Sequence, residues 1–214
     1  MANCCDPIPY RSLFDEKAAE GRLREYRRRG LDKTAAGMVD FLRNRGVEGM
    51  TVLEVGGGVG EIQVELLEAG AERSVNVELS DGYEDAAARL LDEKGLNGRV
   101  ERRLGDFVEA VDDLEPADIV VLNRVICCYP WMERMVEAAT VSTGSLLVLA
   151  IPRDRWLGHV FIAVENIFHR IRGRRFRAFI HPVTEIESRV TRAGLTRVYA
   201  RQDMFWRGLV FSRD

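Results

Sequence analysis

The chain has few prolines and cysteines, no apolar run of transmembrane length and almost no net charge. Its six prolines and 19 glycines in 214 residues exclude a collagen or a low-complexity chain. The four cysteines form two adjacent pairs, Cys4-Cys5 and Cys127-Cys128, which excludes a disulfide scaffold. Sequence neighbours seldom bridge each other because the geometry is strained, so reduced thiols are expected. The opening MANCCDPIPYRSLFDEK lacks the basic and apolar regions of a signal peptide, which makes the cytoplasm the expected location. A net charge of -3 gives no global field to draw in nucleic acid.

The near-neutral sum hides a polarity. Residues 151–214 hold 13 arginines against 6 acidic groups, whereas residues 1–150 hold 18 basic and 28 acidic groups. The first stretch is therefore +7 and the second -10. With 46% hydrophobic residues, a chain of this length buries roughly 70% of its unfolded surface and needs neither disulfides nor a structural metal.

No repeat or long linker interrupts the pattern, so one domain is expected from 1 to 214. Leu31, Ala35, Met38, Val39 and Leu42 recur at helical spacing, and GRLREYRRRG reads as a preceding helix that ends at Gly30. From Met50 short apolar runs alternate with helical segments: TVLEV, a helix through Ile62, Leu66 and Leu67, SVNVEL, a helix over Asp85–Lys94, RVERRL, ADIVVLN, a helix around Met132–Ala139, and SLLVLAI. This alternation predicts a doubly wound α/β fold, a mostly parallel seven-stranded sheet with helices on both faces. Helical stretches follow at Trp156–Ile171 and Val183–Ala193. LTRVYARQ and MFWRGLVFS then read as an antiparallel hairpin at the sheet edge. The divisions are a helical cap (1–48), a cofactor-binding core (49–151), a lid (152–181), and a final helix and hairpin (182–214).

The first strand runs into Glu54-Val55-Gly56-Gly57-Gly58-Val59-Gly60, which opens a helix. Glycines let the backbone turn tightly and approach a ligand closely. A dinucleotide loop needs G-x-G-x-x-G, but from Gly56 and Gly58 the third position is Glu61, whose carboxylate would repel a pyrophosphate. A nicotinamide-dependent dehydrogenase is thereby disfavoured.

The spacing acid-x-G-x-G-x-G instead resembles motif I of the class I S-adenosylmethionine-dependent methyltransferases. That resemblance implies the Rossmann-like fold, S-adenosylmethionine as cofactor and S-adenosylhomocysteine as product. It also implies a cofactor site of Glu54, Gly56, Gly57, Gly58 and Gly60, with Glu78 and Leu79 at the end of the second strand for the ribose hydroxyls. Asp106 and Phe107 after the third strand would meet the adenine, and Asn123 at the end of the fourth would line the transfer site. Taken singly, Glu54 is a strand-end acid, Glu78 a surface residue and Asp106 a helix N-cap.

The runs VVLNRVICCYP, LLVLAIPRDRW and RAFIHPVTEIESRVTRAGL, with Leu13-Phe14-Asp15, resemble the magnesium-protoporphyrin IX O-methyltransferase branch. Cys128 stands where that branch shows a histidine, so the branch carries over and its substrate does not. The implied acceptor is a hydrophobic small molecule methylated at oxygen, with His181, Tyr129 and Cys128 as candidate catalytic groups. A packed structural role for His181 weighs equally, and His159 and His169 read as surface or cap residues. No metal site is expected.

Residues 153–177 carry seven arginines around an apolar helix. They read as a lid pairing with substrate carboxylates, a peripheral membrane contact, a homodimer interface, or a core helix with a solvated basic loop. Cys4-Cys5 approaching Cys127-Cys128 would offer thiolates to a soft metalloid acceptor. A non-catalytic cofactor-binding module is a further alternative.

Overall fold

Because β1 (Thr51–Val55), β4 (Ala117–Asn123) and β5 (Thr143–Pro152) are apolar on both faces, they must lie at the centre of a sheet covered on both sides, and they do. In a computed structural model that describes residues 13–154, 156–172 and 176–213, seven strands form one sheet. Its order is β3-β2-β1-β4-β5-β7-β6, with β2 at Arg73–Glu78, β3 at Val100–Leu104, β6 at Leu195–Gln202 and β7 at Trp206–Arg213. Strands β1 to β5 pair in parallel, and β7 runs antiparallel between β5 and β6. The closing hairpin therefore occupies the edge as expected, with its second strand inside.

Alternation sorts the core into two layers. Ile119, Val121, Leu146 and Val148 face one cluster, whereas Val120, Leu122, Leu147 and Leu149 face the other. The first layer is covered by α1 (Glu16–Arg29), α2 (Lys33–Arg45), α3 (Glu61–Glu68) and α4 (Glu84–Lys94). The second is covered by α5 (Phe107–Ala110), α6 (Met132–Val141) and α8 (Val183–Arg192). The two N-terminal helices contribute Leu23, Met38 and Leu42, each fully buried, to the first layer. Each such side chain stabilises the fold by about 1.5–3 kcal/mol relative to exposure.

Helix α7 (Trp156–Ile171) leaves the carboxyl end of β5. Asn166 holds the returning chain by two hydrogen bonds of 2.9 Å, donating to the Ala178 carbonyl and accepting from the Ala178 N–H. One expectation fails here. His169 is buried, its ring set edge-on to Phe176 at 5.5 Å, so it is not a surface residue; its position on α7 turns it toward the returning chain. The side chain of His159 and the pair Cys4-Cys5 lie outside the described residues.

Candidate functional site

In a parallel sheet the carboxyl ends of the strands open onto loops at one edge, and ligands bind where the strand order reverses. Here β1 lies between β2 and β4, and the loops after β1, β2, β3 and β4 surround a cavity of about 310 Å³. Glu54, Gly56, Gly57, Gly58, Glu78, Leu79, Asp106, Phe107, Asn123, Cys128 and Tyr129 all reach its wall. Gly60 and His181 do not. Gly60 is the N-cap of α3 with φ +82°, and His181 meets the backbone of the wall residue Tyr129.

The glycine loop is built for close approach. Gly56 and Gly58 both have φ near +59°, where a Cβ is strained. Gly57 is confined differently: a Cβ there would collide with the Asn76 side-chain amide and come within 2.7 Å of the Glu54 carboxyl carbon. Below the loop Glu54 is 2% exposed and accepts a 3.2 Å hydrogen bond from the Gln63 N–H. Burial pushes its carboxyl up to about 8, the neighbouring Glu61 adds to the rise, and the Gln63 N–H opposes it.

Glu78, also buried, is held by three backbone donors. One oxygen accepts from Gly58 at 2.9 Å, the other from Leu79 at 2.9 Å and Ser80 at 3.0 Å. Burial raises its pKa, against the pull of those N–H groups and of Arg102. Asp106 divides its two oxygens. Oδ1 caps α5 by accepting from the Val108 N–H at 2.8 Å, while Oδ2 is buried without a hydrogen-bond partner among the described residues. The cap role and a ligand role are thus compatible. Asn123 Oδ1, at the end of β4, is likewise buried without a partner among the described residues.

Several wall residues were not singled out for the site by sequence reasoning. Arg22 comes from α1 and pairs its Nε with Glu61 at 2.6 Å. Arg124, one residue past β4, adopts φ +64°, an uncommon backbone for a residue with a side chain. Its guanidinium pairs with Asp32 at 2.9 Å and lies 4.4 Å from the Trp206 ring centroid. Tyr83 leans over Gly58, and burial pushes its hydroxyl pKa up to about 12. Only the resemblance at Leu13-Phe14-Asp15 hinted at Phe14. It reaches the wall while its carbonyl accepts from Ser80 Oγ and its ring meets Phe176 edge-on at 5.7 Å.

On the far wall the turn Ile126–Cys128 sets two thiols side by side, with Cys127 and Cys128 Sγ atoms 3.8 Å apart and no disulfide. His181 Nε2 lies 2.9 Å from the Tyr129 carbonyl oxygen. A carbonyl only accepts, so Nε2 is the donor in this contact. The segment is further tied down where the Phe179 N–H donates to the Cys127 carbonyl at 2.7 Å. Among the described residues no cluster of three or more metal-ligating side chains occurs.

No protein-family model matches the chain, and no curated protein sequence matches it. Solved structures do resemble it. The magnesium protoporphyrin IX methyltransferase from Synechocystis PCC 6803, crystallised with bound SAH, superposes with a TM-score of 0.75 at 18% identity over 98% of this chain and 100% of that one. An O-methyltransferase family protein from Burkholderia thailandensis gives 0.68 at 21% identity, over 94% of this chain and 63% of that one. An O-methyltransferase family 2 protein from Planctomyces limnophilus, in complex with apigenin, gives 0.68 at 20% over 93% and 62%. The seven-stranded sheet with its antiparallel closing strands is therefore the fold of the S-adenosylmethionine-dependent methyltransferases.

Proposed function

We propose that this protein is an S-adenosylmethionine-dependent methyltransferase acting on a hydrophobic small molecule, with methyl transfer to oxygen. The observation that carries the reading is the convergence of Glu54, Glu78, Asp106 and Asn123 from four successive strand ends onto one cavity. At Asp106 and Asn123 a buried oxygen there lacks a partner among the described residues. Such oxygens suit a ligand rich in hydroxyl and amino groups.

The residues present fit that cofactor. Gly56, Gly57 and Gly58 leave room for its amino-acid end, and Gly60 starts the helix behind them. Glu78 with the Leu79 region would take the ribose hydroxyls, and Asp106 and Phe107 the adenine. The bound cofactor supplies an electrophilic methyl group on a sulfonium, and the product is S-adenosylhomocysteine. What the chain contributes is positioning and exclusion of water. Phe14, Tyr83 and Val125 close the wall with apolar surface. Tyr129 and Cys128 would face the acceptor, and His181 would act through the Tyr129 carbonyl as a positioning residue.

The adjacent thiols favour one second reading, a thiol or soft metalloid acceptor held at Cys127 and Cys128. Titration with S-adenosylhomocysteine and with NADH tests the main proposal. Binding of the first alone is expected, and binding of NADH alone would overturn it. Mass spectrometry of a co-purified acceptor, before and after transfer, distinguishes a methylated oxygen from a methylated thiol or metalloid.

A further inference from the structure

Seven of the ten large apolar side chains that are exposed among the described residues lie on α7, the β6–β7 turn and the segment after β4, all at the carboxyl end of the sheet, where the cavity opens. Val164, Ile167, Phe168 and Ile171 form one stripe on α7 at the spacing of a helical face, with Ile171 78% exposed. Met204, 75% exposed, and Phe205 occupy the β6–β7 turn. That turn is fixed to the root of α7, because the Phe205 carbonyl accepts from the Arg153 N–H at 2.9 Å. Trp131, the seventh, follows the turn after β4, its ring 6.2 Å from that of the cavity residue Tyr129.

Cationic groups border this apolar surface. Arg170, Arg172 and Arg177 are exposed, and the Arg172 guanidinium lies 3.8 Å from the Phe168 ring centroid. A core-packing helix would bury the stripe, and this one leaves it in water. Two copies meeting through the stripe would oppose segments that each carry seven arginines in residues 153–177 against Asp154 and Glu165. A nucleic acid would match the charge but not four aliphatic and aromatic side chains in a row.

We propose that this face docks on an anionic lipid bilayer. An apolar stripe flanked by arginines lies in the plane of the interface, its apolar side among the acyl chains and its guanidinium groups at the phosphates. Trp131 suits the headgroup level, and Phe205 the acyl side. The -10 portion, residues 1–150, adds a repulsion that favours the orientation with the +7 portion against the lipid. The cavity then opens toward the bilayer, and its acceptor is of a class that partitions into lipid. The docking itself does not depend on the methyl-transfer reading.

Flotation of the full chain with phosphatidylcholine vesicles, with and without phosphatidylglycerol, tests the proposal. Binding is expected only when the anionic lipid is present. The pair Ile167→Ser with Ile171→Ser, and separately Met204→Ser with Phe205→Ser, should each weaken it about tenfold. Arg170→Glu with Arg177→Glu should weaken it by at least that much, since each lost cation near the surface accounts for about fivefold. Val141→Ser, which removes an exposed apolar group on α6 outside this face, should leave binding unchanged. Thermal melting of each variant separates loss of docking from loss of fold, and the arginine pair keeps the test open if an apolar variant fails to fold. Equal binding to both vesicle types, no binding to either, or variants that float like the parent overturns the proposal. So does a dimer that the Ile167→Ser/Ile171→Ser pair disperses without changing flotation.

Discussion

The backbone N–H of Gly58 donates to Glu78 across 2.9 Å, joining the glycine loop after β1 to the tip of β2. The contact ties the loop to β2 while Gly56, Gly57, Gly58 and Glu78 all stay in the cavity wall. Replacing Glu78 by Gln retains one accepting oxygen and turns an amide N–H toward a backbone N–H. The donors left unsatisfied are then either Gly58 alone, which uses one oxygen, or both Leu79 and Ser80, which share the other. Glu78→Gln should cost about 1–3 kcal/mol of stability. It should also weaken S-adenosylhomocysteine at least tenfold by titration calorimetry, and an unchanged affinity would remove Glu78 from the proposed site.

Two glycines of the wall should respond differently to an added methyl group. At Gly57 a Cβ meets the Asn76 amide and the buried Glu54 carboxyl, whereas at Gly105 it meets nothing within 4 Å. Gly57→Ala is expected to destabilise by about 1–3 kcal/mol, because a filled interior relaxes only with strain. Gly105→Ala should melt close to the parent. Equal melting temperatures for the two variants would contradict the confinement of Gly57.

Asp32 joins a helix end to the cavity wall. Its Oδ1 accepts from the Thr34 and Ala35 N–H groups, and Oδ2 pairs with Arg124. Asp32→Asn keeps the capping oxygen and removes the negative charge, whereas Asp32→Ala removes both. Chemical unfolding should show a loss of about 1–2 kcal/mol for Ala and less than half of that for Asn. If Asn costs as much as Ala, the ion pair rather than the cap stabilises this corner.

The sheet was legible because burial on both faces produces continuous apolar runs such as ADIVVLN, and the loop was legible because Gly56, Gly57 and Gly58 stand directly behind a strand. What escaped was contributed from a distance in sequence. Arg22 reaches Glu61 from a helix 39 residues upstream, and no local spacing marks such a partner. Arg124 was hidden for another reason: positive φ is read from sequence at glycine, and here it falls on an arginine. His169 looked peripheral because the alternation of polar and apolar residues on α7 does not tell which side meets Phe176. The charge polarity was plain in the composition, but its link to an exposed apolar face on α7 and the β6–β7 turn required the side chains to be placed in space.

Asn166 makes the tie between α7 and the returning chain testable. Asn166→Ala removes both 2.9 Å hydrogen bonds to Ala178. The expected result is faster amide exchange confined to residues 176–181, with the central strands unchanged, since local opening draws on the least stable segments. Asn166→Asp keeps the acceptor for the Ala178 N–H but faces the Ala178 carbonyl with a carboxylate, and should open the same segment. Uniform acceleration across the sheet would show that Asn166 supports the whole fold.

Glu54 should give the fold a distinctive dependence on pH. Its ordinary value is 4.5, and burial in the folded chain pushes it up to about 8. Below about 4.5 both states hold the proton and Glu54 contributes no slope. Between about 4.5 and 8 the folded state keeps a proton that the unfolded state has released, so stability falls as pH rises, by at most about 1.4 kcal/mol per pH unit. Above about 8 the loss is complete. Glu54→Gln cannot ionise, still offers an oxygen to the Gln63 N–H, and should remove this slope, becoming the more stable protein at the alkaline end. Urea unfolding of parent and variant across that range decides the matter. Parallel curves would mean that Glu54 is ionised in the folded protein throughout, with Arg102 and the Gln63 N–H outweighing its burial.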